Sequence, residues 1–395
     1  MKKSRLLVLL VALVFAISLV AACGNNEPEA TPAPPPPATD AAATPAPADP
    51  EPEPEPEGGP ITVDVFWYWF GDTFLASVRG DMEAEEARFP GLNVTHHDSN
   101  NDQALQLDQI NTALVRGTDL LVVNIVNTAA EDVAMQIVQL GEEHGVPVLF
   151  FNREVSDAVI NAIDNSAFIG TDAAEAGVFQ GMAIANFLLA GDNASYFDRN
   201  GDGQIAYVMM RGEHGNAEAF FRTYYSVRTA NDMLEAAGSD VRLVPSAANE
   251  TSTLYADDGI SNYFLYANWS AANAFDLLNT ALAAHSIEAG DIEMVIANND
   301  DAALGSISAL AEAGFNTGTG DKIPVFGVDA TDAARIAIAD GAMTGTVMQD
   351  GRGMAVAVLE LSNNVANGNH LMHNTGHHNI DVGVAKIRIP HAIVD

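Results

Sequence analysis

Three stretches of this 395-residue chain carry side chains whose types and spacing can do chemistry. In "YFDRNGDGQIAY", residues 196–207, Asp198, Asn200 and Asp202 alternate, Gly203 follows, and Gln204 opens an apolar run. Alternating oxygens around a glycine turn suit a hard cation such as Ca2+, which takes about six to eight oxygen ligands. The twelfth position of such a loop ordinarily supplies a closing glutamate, and here it is Met209. The ninth is Ala206, where water would have to replace a side-chain ligand.

A second set is scattered along the chain. Asp72, Phe74, Asn152, Asn216, Glu218, Arg222, Asn299, Asp329 and Gln349 each follow a short apolar run. Planar amide, carboxylate and guanidinium groups offer paired donors and acceptors with no reactivity of their own. They suit a polyhydroxylated ligand, whose hydroxyls both donate and accept. Phe74 and the isolated Trp269 can cover the apolar faces of a pyranose ring. Asp and Asn at these positions also suit helix N-caps, but capping does not explain why so many planar polar groups close successive strands.

The third stretch, "HLMHNTGHH" at 370–378, holds four histidines. Asn, Gly and Thr interleave them in what reads as a loop, without the convergence and support that zinc or nickel ligands need, so a metal is set aside. Neither a Gly-x-Ser-x-Gly elbow nor a phosphate loop is present. With 53 acids in the chain, close carboxylate pairs arise by chance, and no glycosidase pair is inferred. No catalytic residue is expected.

The elements that must position these groups read as short Val/Ile/Leu runs alternating with helical periods. Strands are expected at 61–69, 92–98, 120–126, 146–152, 167–170, 204–210, 241–245, 293–299, 323–329 and 345–349. Near-continuous apolar strands separated by helices imply parallel sheets covered on both faces. Their number favours two α/β domains over one. In open parallel sheets ligands bind beyond the carboxyl ends of the strands, which is where the second set lies.

Before this body, residues 1–23 have a basic start, an apolar stretch and "AAC", the pattern of a targeting segment ending at the chain's single cysteine, Cys23. The junction resembles a bacterial lipobox, which implies a lipid on Cys23. Residues 24–60 are a low-complexity Pro/Ala/Glu tether with no apolar surface to bury. The net charge of −36 argues against nucleic acid or an anionic lipid surface as a partner.

From about Ile61 to the C-terminus, "DSNNDQALQLDQI", "VPVLFFNRE", "FIGTDAAEAG", "FDRNGDGQIAYVMMRGE", "EMVIANND" and "IPVFGVDA" resemble, in order, the bacterial galactose/glucose-binding proteins. These are type I periplasmic binding proteins of ABC sugar importers. An insertion falls around 246–266. The resemblance implies two doubly wound parallel-sheet lobes joined by a three-stranded hinge, divided as 61–171 plus 350–382 and 172–349 plus 383–395. It implies a monosaccharide, galactose or glucose first, held by Asp72, Phe74, Asn152, Arg222, Trp269, Asn299 and Asp329. Three pocket positions depart from the family pattern: its histidine is Asn216, an aspartate is Glu218, and its last asparagine is Gln349. His214, two residues before Asn216, is a candidate partial substitute. The same comparison completes the cation loop, Asp198–Ala206: Glu293 takes the part of the missing glutamate beside Asp198, Asn200, Asp202 and the Gln204 carbonyl. The Ca2+ would be structural.

The expected protein is therefore a lipid-anchored, extracytoplasmic, monomeric solute-binding protein that presents a sugar to ABC permease subunits. A sensor that hands its closed form to a chemoreceptor or histidine kinase is the first alternative. A carbohydrate-active enzyme and a repressor's effector domain, the latter at odds with an export segment, rank below it.

Overall fold

The computed structural model describes residues 59–256, 258–318 and 320–394. The targeting segment with Cys23, and the tether up to residue 58, lie outside the described residues. In chain order the strands are β1 (Ile61–Trp67), β2 (Leu92–Asp98), β3 (Leu120–Val123), β4 (Val148–Phe151), β5 (Ser166–Gly170), β6 (Gln204–Arg211), β7 (Arg242–Pro245), β8 (Glu250–Thr251), β9 (Tyr263–Tyr266), β10 (Met294–Ala297), β11 (Val325–Phe326), β12 (Thr346–Gln349), β13 (Asn379–Ile380), β14 (Lys386–Arg388) and β15 (His391–Val394). The helices are α1 (Thr73–Glu85), α2 (Gln103–Arg116), α3 (Glu131–His144), α4 (Asp157–Ile160), α5 (Ala173–Leu189), α6 (Asn193–Phe197), α7 (Ala217–Ala236), α8 (Ala271–Ala284), α9 (Asp300–Glu312), α10 (Asp332–Ala339) and α11 (Gly351–Ala366).

The first sheet runs β13-β14-β5-β4-β3-β1-β2, parallel except for β13. Strand alternation sends Val63, Val65 and Trp67 of β1 to one face, where they meet Leu75, Val78 and Met82 of α1 and Met354 and Val358 of α11. Phe66 points to the other face, with Ile110 of α2 and Ile137 of α3. Because helices cover both faces, all four residues of β3 and of β4 are buried, which is why those strands read as unbroken apolar runs.

The second sheet is built on β6, flanked by β10 and then β11 on one side. On its other side two strands share one edge. β7 pairs with Gln204–Tyr207, and β9 pairs with Met210–Arg211, both parallel to β6. The insertion seen in the sequence is therefore an excursion that interrupts a single edge strand, leaving after Pro245 and returning at Leu265. The short antiparallel pair β8–β9 lies within it.

The chain passes between the sheets three times: after β5, after β12 and between β14 and β15. β14 pairs with β5, and Ile387 is fully buried in the first core. Lys386 is held there by Glu154 and Asp157 at 2.7 Å each. The third crossing accordingly falls after Arg388, at Ile389–Pro390, rather than at residue 383 as the sequence suggested. β15 alone crosses over, to pair with β12. The crossings are tied together: Arg388 donates to the Thr171 carbonyl at 2.9 Å, and Thr171 Oγ1 donates to Gln349 Oε1 at 3.2 Å.

Candidate functional site

A cavity lies between the carboxyl ends of the two sheets, and all ten residues expected to bind a ligand line it. Asp72, Phe74 and Asn152 enter from the first sheet. Asn216, Glu218, Arg222, Trp269, Asn299 and Asp329 enter from the second, and Gln349 from the end of β12. The helices and loops that follow the strands deliver them.

Capping and lining are done by the same side chains. Asp72 Oδ1 caps α1 by accepting from Leu75 N at 2.9 Å, while Oδ2 accepts from Tyr68 Oη at 2.6 Å. Asn216 caps α7 through Ala219 N at 3.0 Å. Asn299 caps α9 through Ala302 N at 3.2 Å and donates to the Trp269 carbonyl at 3.1 Å. A cap fixes one atom of each group; the second atom of Asp72 holds Tyr68 and that of Asn299 holds the Trp269 carbonyl, so the cavity wall is braced by its own caps.

The backbone is bent to do this. Asn152, Trp269 and Asp329 have φ of 58°, 63° and 122°, a region non-glycine residues enter rarely and mainly at functional sites. Gly212 answers Trp269 directly, because a Cβ there would collide with the indole ring. Behind Asn152, the fully buried Asn124 donates to the Phe151 carbonyl at 3.1 Å and to Asn152 Oδ1 at 3.2 Å.

The polar groups are fixed but not exhausted. Arg222 donates from Nη1 to the Asn298 carbonyl at 2.9 Å and lies 3.8 Å from Asp329 Oδ1. Gln349 Nε2 donates to the same Asp329 oxygen at 2.9 Å. Arg222 Nε, Glu218 Oε1 and Trp269 Nε1 are buried and make no hydrogen bond within the protein. A buried polar atom left so costs about 1–3 kcal/mol, so three in one cavity mark the positions a hydroxylated molecule would satisfy. Burial pushes the Glu218 carboxyl above its usual range against the pull of Arg222. Burial raises Asp329 well above its own, with Asp300 and Asp72 adding to the rise and Arg222 opposing it.

The lobes meet around this cavity. Arg153, after β4, forms an ion pair with Glu213, after β6. Thr73 Oγ1 donates to Asp301 Oδ1 at 2.8 Å, and Gly215 leaves room only for the close approach of Ala129.

Tyr68, Leu75 and Arg153 also line the cavity, and sequence reasoning passed over them. The signal was present for Arg153, which directly follows Asn152, and for Tyr68, which directly follows β1. His214 is exposed, 6.5 Å from the Tyr266 ring, and is not among the residues lining the cavity, so it does not replace the family's histidine. His214 lies in the exposed turn with Gly215, and Asn216 occupies the wall.

The cation loop sits apart, at the far end of β6. Glu293, 1% exposed, accepts from Arg199 N at 2.6 Å and from Ala206 N at 2.8 Å, spanning the loop. Asp198 accepts from Asp202 N and Gly203 N, and Asn200 Oδ1 also accepts from Asp202 N. Asp202 Oδ1 accepts from Gln204 N at 2.8 Å. Burial raises the Glu293 carboxyl, its two backbone donors pull the other way, and Asp198 and Asp202 add to the rise. The structure thus brings Glu293 to the loop from 87 residues beyond Ala206.

Two parallel-sheet lobes crossed three times by the chain, with a cavity of planar polar groups between their strand ends, define a two-lobed solute-binding protein. The comparisons make this specific. Residues 63–370 match the family described as periplasmic binding protein domain, and the chain belongs to that family. It is a binding protein and not an enzyme. It is 32% identical, over 83% of its length and 87% of the relative's, to the D-galactose/methyl-galactoside binding periplasmic protein MglB of Haemophilus influenzae. Among solved structures, the fold is similar to an ABC transporter solute binding protein from Bacillus halodurans with bound myo-inositol (TM-score 0.63, 24% identity, 85% of this chain and 94% of that one). It is equally similar to one from Clostridium phytofermentans with bound β-D-glucose (TM-score 0.63, 20% identity, 85% and 94%). No helix among the described residues is long and apolar enough to cross a membrane.

Proposed function

We propose that this protein captures a monosaccharide outside the cytoplasmic membrane and delivers it to the permease of an ABC importer, with galactose or glucose as the first candidates. The observation that carries the reading is the cavity itself, in which ten planar or aromatic groups converge and three buried polar atoms have no partner in the protein. The 32% identity to a galactose-binding relative supports the choice of sugar. Closure of the lobes around the ligand excludes water from these hydrogen bonds and creates the shape a permease recognises. A lipid on Cys23 and the tether at 24–60 would hold the body near that permease.

Asn216, Glu218 and Gln349 set the preference among sugars, since each moves or replaces a hydrogen-bonding head. Gln349 is already spent on Thr171 and Asp329, so it acts by positioning Asp329 as much as by touching a sugar. Titration calorimetry against a panel of hexoses and pentoses tests the proposal, with micromolar or tighter binding of at least one expected. Absence of binding to every member would overturn it.

The Asp198–Ala206 loop, with Asp198, Asn200, Asp202, the Gln204 carbonyl and Glu293, is assigned to a structural Ca2+. A buried carboxylate brought to a loop of alternating side-chain oxygens, its charged form disfavoured by burial and further by Asp198 and Asp202, suits a divalent cation with oxygen ligands. Chelation is expected to lower the melting temperature and calcium to restore it. An unchanged melting temperature would refute the assignment.

A further inference from the structure

The four histidines of residues 370–378 do not behave alike. His370 is used inside the fold, its Nε2 lying 2.8 Å from the Asp164 carbonyl. His377 and His378 turn toward α11, where Glu360 Oε2 lies 3.4 Å from His377 Nε2 and 3.0 Å from His378 Nε2. Ligand atoms of all three residues lie within 4.8 Å of one another, the group of this kind found among the described residues.

The loop is held in place, which its composition did not suggest. His378 N donates to the Thr375 carbonyl at 2.9 Å, and Thr375 Oγ1 to the Met372 carbonyl at 2.9 Å. Asn364, one turn beyond Glu360 on α11, donates to the carbonyls of Leu371 at 2.8 Å and His373 at 2.7 Å. Residues four apart share a helix face. One face of α11 therefore carries both the carboxylate and the clamp that brings the histidines to it.

The spacing fits a metal. Zn–N and Zn–O bonds of about 2.0–2.2 Å at the tetrahedral angle put neighbouring ligand atoms about 3.3–3.5 Å apart. The two separations from Glu360 Oε2, 3.4 and 3.0 Å, fall within about 0.5 Å of that edge. Two imidazoles and a carboxylate select Zn2+, Ni2+ or Cu2+ over the hard cations. Side-chain exposures of 60% for His377, 15% for His378 and 36% for Glu360 leave the cluster reachable from solvent. The groove it opens on is also lined by Val356, Ile389 and Pro390, so the cluster borders the third crossing between the lobes and is separate from the ligand cavity.

We propose that His377, His378 and Glu360 form a site for one divalent transition-metal ion, with a water-accessible fourth position, fastening the 370–378 loop to α11. Zinc calorimetry and Co2+ absorption on the full chain in detergent test it. One equivalent of Zn2+ is expected to bind, and Co2+ is expected to show the intense visible bands of tetrahedral coordination. The double variant His377→Ala/His378→Ala should lose the bands and weaken Zn2+ by at least about tenfold. His370→Ala should retain both signals. Glu360→Gln keeps shape and hydrogen bonding while removing the charge, so it decides the question if the double variant misfolds; it too should bind Zn2+ more weakly. Undiminished Zn2+ affinity in these variants, or no Zn2+ binding by the wild type at about 100 µM, would overturn the proposal.

Discussion

Replacing Glu213 by Gln isolates lobe closure from ligand contact. Glu213 is not among the residues lining the cavity, yet it pairs across the cleft with Arg153. Its side chain is 24% exposed and that of Arg153 5%, so the pair is largely desolvated. A hydrogen bond to a charged group contributes about 1.5–3 kcal/mol, reduced toward the lower end by the exposed quarter. The glutamine oxygen can still accept from Arg153, which itself keeps its 2.9 Å bond to the Val126 carbonyl. The expected loss is about 1–2 kcal/mol. Because the pair joins the two lobes, that loss falls wholly on the closed form, and the apparent Kd for galactose or glucose should rise about 5–30-fold. Calorimetry gives the Kd, and small-angle scattering should show the unliganded variant no more compact than wild type. A double-mutant cycle with Arg153→Gln removes any direct effect of Arg153 on the ligand and should leave a coupling of at least about 1 kcal/mol. A Kd within twofold of wild type, or strictly additive effects, would show that the pair does not hold the lobes together.

Three further outcomes are expected. Trp269→Ala removes an aromatic wall without touching the backbone carbonyl that Asn299 uses, and should weaken sugar binding at least about tenfold; normal affinity would mean the sugar lies elsewhere. Tyr255→Phe strips the hydroxyl 2.5 Å from Nη2 of Arg211, a fully buried guanidinium whose other hydrogen bond among the described residues is to the Ser261 carbonyl at 3.4 Å. It should cost about 1.5–3 kcal/mol by urea unfolding, and a change under about 0.5 would refute the anchoring of the insertion by Arg211. His391 is held neutral: burial, then Arg222, lower its pKa to about 3, with Asp172 opposing and Glu175 Oε2 3.1 Å from Nδ1. A histidine whose folded value lies below its unfolded one, about 6.5, contributes stability that is whole above that value and lost as pH falls toward 3, about 2 kcal/mol by pH 5. Asp300, raised to about 6 by burial, works in the opposite sense over part of that range, so the comparison is with His391→Asn, which should lose about 2 kcal/mol less between pH 7 and 5. Equal losses would refute it.

The positions of the cavity residues were legible because strand ends are marked twice, by an apolar run and by the planar group that stops it. What escaped notice depended on contacts far apart in sequence. Glu360 is an ordinary helix-surface acid until the loop folds back 17 residues later. β14 is three residues long, and its place in the first sheet rests on Ile387 and on Lys386 finding Glu154, 232 residues earlier. The split edge of β6 was invisible for the same reason: β7 and β9 become one edge only when both pair with β6.

The double use of caps has a consequence for how the site can change. Asp72, Asn216 and Asn299 each spend one oxygen on a helix N-terminus, so an apolar replacement would cost about 1 kcal/mol of helix capping as well as a ligand contact. Exchange among Asp, Asn, Ser and Thr keeps the cap, and at Asn216, whose amide nitrogen has no further bond among the described residues, it alters chiefly what faces the cavity. Asn216 caps α7 and lines the cavity, so on the proposed function such an exchange there would change what the cavity selects. Glu218 sits two residues on, in the first turn of α7, with Oε1 unpaired and its charged form disfavoured by burial. A shorter cap at 216 beside a longer carboxyl at 218 moves the hydrogen-bonding surface from one side chain to its neighbour at little cost to α7. On the proposed function, preference for a sugar would therefore drift along a helix start while the lobe that carries it stays the same.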